Sequence, residues 1–316
     1  MKIGISADFT LDGNDLQRLE EDLDFYASAG FRYVELRAHS LDLIVNGRLN
    51  RAAVAKVLPI LERSGLRFTV HCPEALDLME ESERELQKDV VAATIKFAGL
   101  ARVEIVVCHT GRILLKDGAV VRGNWPLDSR AVPGRDTILR RREQEARVVR
   151  ELAEIASNQG VTLSLENANI DTGVEAIGYS SNLSDLVDQV MAIDRPNVGI
   201  ALDIGHAYIA SKYYGTDFGG ALRAAAPHVR HVHAHDNFGR TFAPGASFIN
   251  SLPFGRGDLH LPPGWGAIPY AEVVSALRDY SGLVMVELQP FRYRKYYHNI
   301  YQSLRDLFEA AGGFGE

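Results

Sequence analysis

Residues 229–235 read Val229-Arg230-His231-Val232-His233-Ala234-His235, and Asp236 and Asn237 follow. Three histidines alternate with other residues, the period of a strand whose alternate side chains share one face. The run reads either as a metal site or as the packed inner face of one strand. Which reading holds depends on whether ligand-type residues recur at equivalent places along the chain.

Seven other strand-like runs share its character: residues 2–7 (KIGISA), 32–38 (RYVELRA), 67–72 (RFTVHC), 103–109 (VEIVVCH), 162–167 (TLSLEN), 198–203 (VGIALD) and 283–288 (LVMVEL). Between them lie amphipathic stretches such as DLQRLEEDLDFYASAG and AAVAKVLPILERSG, each closed by a glycine suited to the left-handed position after a helix. Strands alternating with helices imply a parallel sheet with crossover connections, and eight such units in about 250 residues or more make a closed (β/α)8 TIM barrel. The expected fold class is therefore α/β, a single barrel domain over residues 1–316. A doubly wound open sheet fits less well: the first strand leads into SADFTLDGND with no GxGxxG, and no shift in composition marks a second domain.

Two long connections, 110–136 after the fourth strand and 237–268 after the seventh, fall at strand C-termini, on the face where barrels place lids and substrate walls. Their aromatics Trp125, Phe238, Phe242, Phe254 and Trp265 are candidates for substrate contact or for packing the loops together. The first connection and the start of the next helix also carry Arg112, Lys116, Arg122, Arg130, Arg135, Arg140, Arg141 and Arg142, suited to an anionic group or to a solvated helix face.

Composition narrows the partners. A chain 46% hydrophobic and 24% charged is of ordinary globular type, and a net charge of −7 argues against nucleic acid or an anionic membrane as partner. No run of about 18 apolar residues suggests a membrane span. The start MKIGISADF reads straight into a strand rather than an export signal, so cytoplasmic residence is the expectation, with Cys72 and Cys108 free and buried. The sequence leaves homo-oligomerisation open.

Ligand-type side chains cluster at strand ends: His71, His109, Glu166, Asp203, His233 or His235, and Glu287 sit within the last residues of the third to eighth strands. A barrel brings those positions to one mouth. Three carboxylates gathered there would raise one another's pKa unless a cation intervened, and mixed imidazole and carboxylate ligation suits Zn, Mn, Fe or Co better than Ca. His206, three residues after Asp203, and the pair Asp258 and His260 add further ligands. Glu35 is an acid in an apolar strand too, and Arg37 two residues on is its expected partner on the same face.

The series LSLEN, ALDIGHA, HVHAHDN, GRGDLHLPPGWGAIPY and MVEL resembles the xylose isomerase-like TIM barrel superfamily, over nearly the whole chain. That superfamily includes sugar phosphate isomerases and epimerases, tagatose-type ketose epimerases and the endonuclease IV family. Resemblance to the ketose epimerases implies one metal on Glu166, Asp203, His233 and Glu287, with the two glutamates exchanging protons with substrate carbon. Resemblance to endonuclease IV implies three metals, adding His71, His109, His206, Asp258 and His260. The family's His-x-Asn-Asp pattern falls on residues 233–236, which makes His233 the ligand, leaves His231 as barrel filling and puts His235 where asparagine is usual. His235 then stands as an outer partner, a substrate contact or an extra ligand.

The resulting expectation is a divalent-metal-dependent isomerase or epimerase of a sugar or sugar-phosphate-like substrate, with Glu166 and Glu287 as acid–base pair and two or three ions, Zn or Mn first. The alternative is an endonuclease IV-like multinuclear phosphoester hydrolase. Recognition of damaged DNA is less supported, because CPEALDLMEESERE after His71 is acidic. A non-catalytic scaffold is the third reading.

Overall fold

Each strand-like run becomes one strand of a closed parallel barrel: β1 (Lys2–Ser6), β2 (Tyr33–Arg37), β3 (Arg67–His71), β4 (Ile105–His109), β5 (Thr162–Glu166), β6 (Val198–Asp203), β7 (Val229–Ala234) and β8 (Leu283–Val286). The ring closes through β1 against β8. This computed structural model describes residues 1–7, 15–121, 130–243, 247–289 and 291–310. Outside the barrel lie α1 (Leu16–Ser28), α2 (Arg51–Ser64), α3 (Arg84–Leu100), α4 (Arg135–Ser157), α5 (Leu183–Ile193), α6 (Ile204–Tyr214), α7 (Phe218–Ala225), α8 (Tyr270–Ala276) and α9 (Tyr297–Ala310).

Local chemistry sets the helix ends. Asp15 and Asn50 cap α1 and α2 through their side-chain oxygens, and the glycines after them, Gly30 and Gly65, take positive φ as the sequence led us to expect. Leu19 and Leu23 of α1, with Val57 and Leu61 of α2, join Val34 and Leu36 of β2 in one apolar layer. Each such side chain, fully buried, contributes about 1.5–3 kcal/mol.

Register places the ligand-type residues. Arg37 lies beside His71, His109 beside Glu166, and Asp203 beside His233. The last pairing depends on a bulge: Ile200 lies beside Val229 but Ala201 beside His231, so Arg230 is passed over. Without the extra residue Asp203 would face Val232, whose side chain points to the other side of the sheet. Below the mouth the barrel is filled by Glu35, Thr69, His231 and Met285, all essentially inaccessible. Gly4 leaves room for this layer, since a Cβ there would lie 2.2 Å from the Met285 sulfur.

Both long connections sit at the C-terminal ends of the strands. The one after β4 contributes Arg112–Leu114, which pairs antiparallel with Ala176–Gly178 from the connection after β5. The one after β7 is tied down by a bridge between Asp236 and Leu261. Cys72 and Cys108 are free and buried, as expected, with their sulfurs 3.1 Å apart. No described helix is long and apolar enough to cross a membrane.

Candidate metal centre

The strand ends converge on a cavity of about 380 Å³ whose floor and walls include Arg37, His71, His109, Glu166, Asp258, His260 and Glu287. Three sets of side chains there hold ligand-type atoms within 4.8 Å of one another: Glu166, Asp203, His233 and Glu287; His71, His109 and Glu166; and His206, His235, Asp258 and His260. All nine residues named from the sequence as ligands belong to one of these sets.

Short-range structure explains the positions. Asp203 ends β6 and caps α6, its side chain accepting from the His206 backbone N–H at 2.7 Å, and this turns His206 toward the mouth. Asn167 clamps the same corner: its side chain accepts from Asp203 N at 2.7 Å and donates to Asp203 O at 2.9 Å. Asp258 and His260 come from the loop held by the Asp236 bridge, and the Asp236 carboxylate accepts from the backbone N–H groups of Asn237, Gly264 and Ile268. His260 has φ 43°, strain of the kind that persists where surrounding contacts hold it.

Whether these residues suit a cation is decided by their tautomers, assigned from the hydrogen-bond network. Nδ1 of His71, His109, His206 and His260 faces a backbone carbonyl, that of Cys72, Glu74, Asn167 and Glu287 respectively, at 2.6–3.1 Å. A carbonyl only accepts, so each Nδ1 carries the hydrogen and each Nε2 presents a lone pair. Those lone pairs face carboxylate oxygens: His71 and His109 meet Glu166 Oε2 at 3.1 and 3.2 Å, and His206 and His260 meet Asp258 Oδ2 at 3.0 and 2.9 Å. Acceptor facing acceptor at about 3 Å requires a proton or a metal cation between them. The donor set therefore fits divalent metal.

The same demand for positive charge shows in the ionisation of these groups. Burial pushes His71 and His260 down, but Glu166 beside the first and Asp258 beside the second raise both to about 9. His206 and His233 rise well above the usual imidazole range against the same burial, through Asp203 and Asp258, and through Glu35 and Glu166. Burial alone would raise Glu166, yet His233, His109 and His71 hold it well below the carboxylate range. Asp258 is depressed in the same way, burial being outweighed by His260, His235 and His206.

One pairing differs from expectation. Glu35 does not pair with Arg37: its Oε2 accepts from Thr69 Oγ1 and meets His231 Nε2, both at 2.9 Å, and its Oε1 lies 2.9 Å from His233 Nε2, out of line for an ideal hydrogen bond. Arg37 instead reaches over the mouth, its Nη2 donating to Glu287 Oε1 at 2.8 Å and its Nη1 pairing with Glu74. The two residues do share a face, but the barrel axis offers Glu35 two imidazoles at its own level, whereas Arg37 sits one layer higher. His231 is barrel filling, as read from the sequence, and also backs Glu35. His233 presents Nδ1 to Glu166 Oε1 at 3.0 Å and Glu287 Oε2 at 3.2 Å.

The loop aromatics divide differently from expectation. Phe238, Phe242, Phe254 and Trp265 do not line the cavity; Trp265 packs edge-on against Tyr293 and Tyr296. Trp125 lies outside the described residues. Tyr213 and Tyr214 of α6 supply the aromatic wall instead, and of the basic residues around the first long connection Arg112 lines the cavity. Arg142 is bound to Asp185 and Gln189.

Comparison with known proteins bears on the fold and the family. The sequence profile of a family described as "Xylose isomerase-like TIM barrel" matches residues 23–307. An uncharacterised protein of Methanocaldococcus jannaschii is 28% identical over 242 residues, 75% of this chain and 69% of that one. D-psicose 3-epimerase of Ruminiclostridium cellulolyticum is 25% identical over 287 residues, 86% of this chain and 80% of that one. Among solved structures, a D-tagatose 3-epimerase-like protein superposes with TM-score 0.70 at 22% identity, covering 99% of this chain and 98% of the other.

Proposed function

The chain belongs to the xylose isomerase-like TIM barrel family, and from that premise we propose that it is a divalent-metal-dependent isomerase or epimerase of a small sugar or sugar phosphate. The observation that carries this reading is the set Glu166, Asp203, His233 and Glu287, whose ligand atoms lie within 4.8 Å of one another, with both glutamates lining the cavity and Asp203 and His233 buried. Relatives named as D-psicose 3-epimerases support it.

A divalent cation held by these four residues would polarise a substrate carbonyl and so acidify the hydrogen on the neighbouring carbon. Glu166 and Glu287 lie three strands apart around the ring, which suits proton removal from one side of a substrate and return from the other. Against burial that would raise it, His233, then His260 and Arg37, keep the Glu287 carboxyl ionised, and Arg37 also fixes its Oε1. Asn167 keeps Asp203 in place, and Tyr213 and Tyr214 give the substrate an apolar wall.

A second reading rests on the two further ligand sets, which exceed what one ion needs and suit a multinuclear phosphoester hydrolase. The test is incubation of a ketose and ketose-phosphate panel in deuterated water. Isomerisation with deuterium incorporated beside the carbonyl supports the proposal. Inactivity on that panel, with metal-dependent phosphodiester cleavage and oxygen uptake from labelled water, would replace it with the hydrolase reading.

A further inference from the structure

His235 is the ligand-rich residue whose role neither the sequence nor the acid–base reading settles. It is fully buried, and its Nε2 lies 3.1 Å from both carboxylate oxygens of Asp203. A nitrogen set between two carboxylate oxygens carries the hydrogen, so Nδ1 presents the lone pair. That Nδ1 points at Asp258 Oδ1, 3.5 Å away, and both atoms are buried without a hydrogen-bond partner. An unpaired acceptor of this kind costs about 1–3 kcal/mol, and here two face each other. Their separation is too long for a good hydrogen bond, while a cation between them would satisfy both.

Two further observations show that the ring is seated rather than merely accommodated. Gly205, in the first turn of α6, leaves the space it occupies: a Cβ there would lie 2.0 Å from His235 Cε1. The ring also stacks on His260 at 4.0 Å between centroids and 18° between planes. Nε2 of His206 and of His260 already presents a lone pair to the other oxygen of Asp258.

We propose that His235 completes a closed cation site with His206, Asp258 and His260: three imidazoles and one carboxylate, the ligand number of a tetrahedral structural site, made of donors that zinc accepts. A site with four protein ligands keeps no open position for substrate and releases its ion slowly. Through its Nε2–H, His235 also ties that ion to Asp203 of the neighbouring set, so the closed site positions a ligand of the reactive one. The proposal rests on the reading of the mouth as a divalent-metal centre.

The test uses the full chain loaded with zinc, then dialysed against EDTA, with retained metal counted by elemental analysis. The wild type should keep about one zinc per chain after the remaining ions have left. Loss of even an outer partner of a ligand lowers affinity about 10–100-fold, so His235→Asn should release that zinc at least about tenfold faster. Gly205→Ala, which denies the ring its seat but keeps all four ligands and a sound helix, should do the same. Near-ultraviolet circular dichroism identifies any variant that has not folded. With cobalt in place of zinc, the intense visible bands of tetrahedral coordination should appear in the wild type and weaken in His235→Asn. Wild-type retention and an unchanged cobalt spectrum in a folded His235→Asn protein would overturn the proposal, as would a wild type that keeps no zinc. Glu166→Gln separates the two readings: it should keep the slowly released ion while the reactive set loses its own, and loss of the slow ion there too would overturn the closed site.

Discussion

Glu35→Gln tests how the barrel interior controls the metal site. The Glu35 carboxylate faces three groups that can donate, Thr69 Oγ1, His231 Nε2 and His233 Nε2, each at 2.9 Å. An amide keeps one oxygen and turns the other into a donor, so an N–H comes to face either Thr69 Oγ1 and His231 Nε2 or His233 Nε2. That should destabilise the metal-free protein by about 1–3 kcal/mol. With typical total stability of about 5–15 kcal/mol, the variant should still fold. The negative charge is lost in either orientation, and His233, its Nδ1 aimed at Glu166 and Glu287, becomes a less basic ligand. An outer partner of this kind is typically worth about 10–100-fold in metal affinity, or about 1.4–2.7 kcal/mol. Competition with a chromophoric chelator measures the affinity, and urea unfolding of the metal-free protein measures the stability. If affinity stays within about twofold of wild type and the urea midpoint does not move, Glu35 is inert filling and the argument fails.

Reconstitution with excess zinc or manganese should load at least two ions per chain, by elemental analysis, because three ligand sets lie at the mouth among the described residues; one ion would leave two of those sets without a role, and none would leave all three. Glu166→Gln and Glu287→Gln should each lower turnover at least about 100-fold, the usual lower range for a lost acid–base group, with metal content measured alongside; near wild-type activity would remove that residue from the chemistry. Arg37→Met takes away one of the positive neighbours that depress Glu287, so the acid limb of the kcat/KM profile should move to higher pH, and an unmoved limb would show that the ion pair does not set it. Glu145 lies apart from the metal residues in α4, where burial raises it from 4.5 to about 7 although Tyr179, Gly111 and Gln189 donate to it. The folded state thus holds this proton more tightly than the unfolded chain, and stability should fall by about 3 kcal/mol as pH rises through that window. Glu145→Gln should abolish this part of the slope in urea unfolding at pH 5 and pH 8, and an identical slope in both proteins would refute it.

Much of this molecule was legible before any coordinates. Strand-helix alternation sufficed for the barrel, since a run of period two flanked by amphipathic helices has few other ways to bury its apolar faces. The same period showed that His231, His233 and His235 share a face and that Glu166, Asp203 and Glu287 end their strands at the mouth. What it could not show was which residue on the next strand lies beside each of them. Asp203 stands next to His233 because of a bulge between β6 and β7, and Glu35 turns to His231 and His233 rather than to Arg37 because those imidazoles come from a strand almost two hundred residues away. Gly205 gives no sign in the sequence that it seats a histidine from β7's end. Periodicity is a property of one strand with its own backbone, whereas neighbours across the barrel depend on register, shear and the loops that close the ring. The sequence by itself therefore determined the fold and the inventory of ligand-type residues at the mouth, and only the tertiary structure decided how those side chains divide into sets, which nitrogen each imidazole turns inward, and which carboxylate it meets.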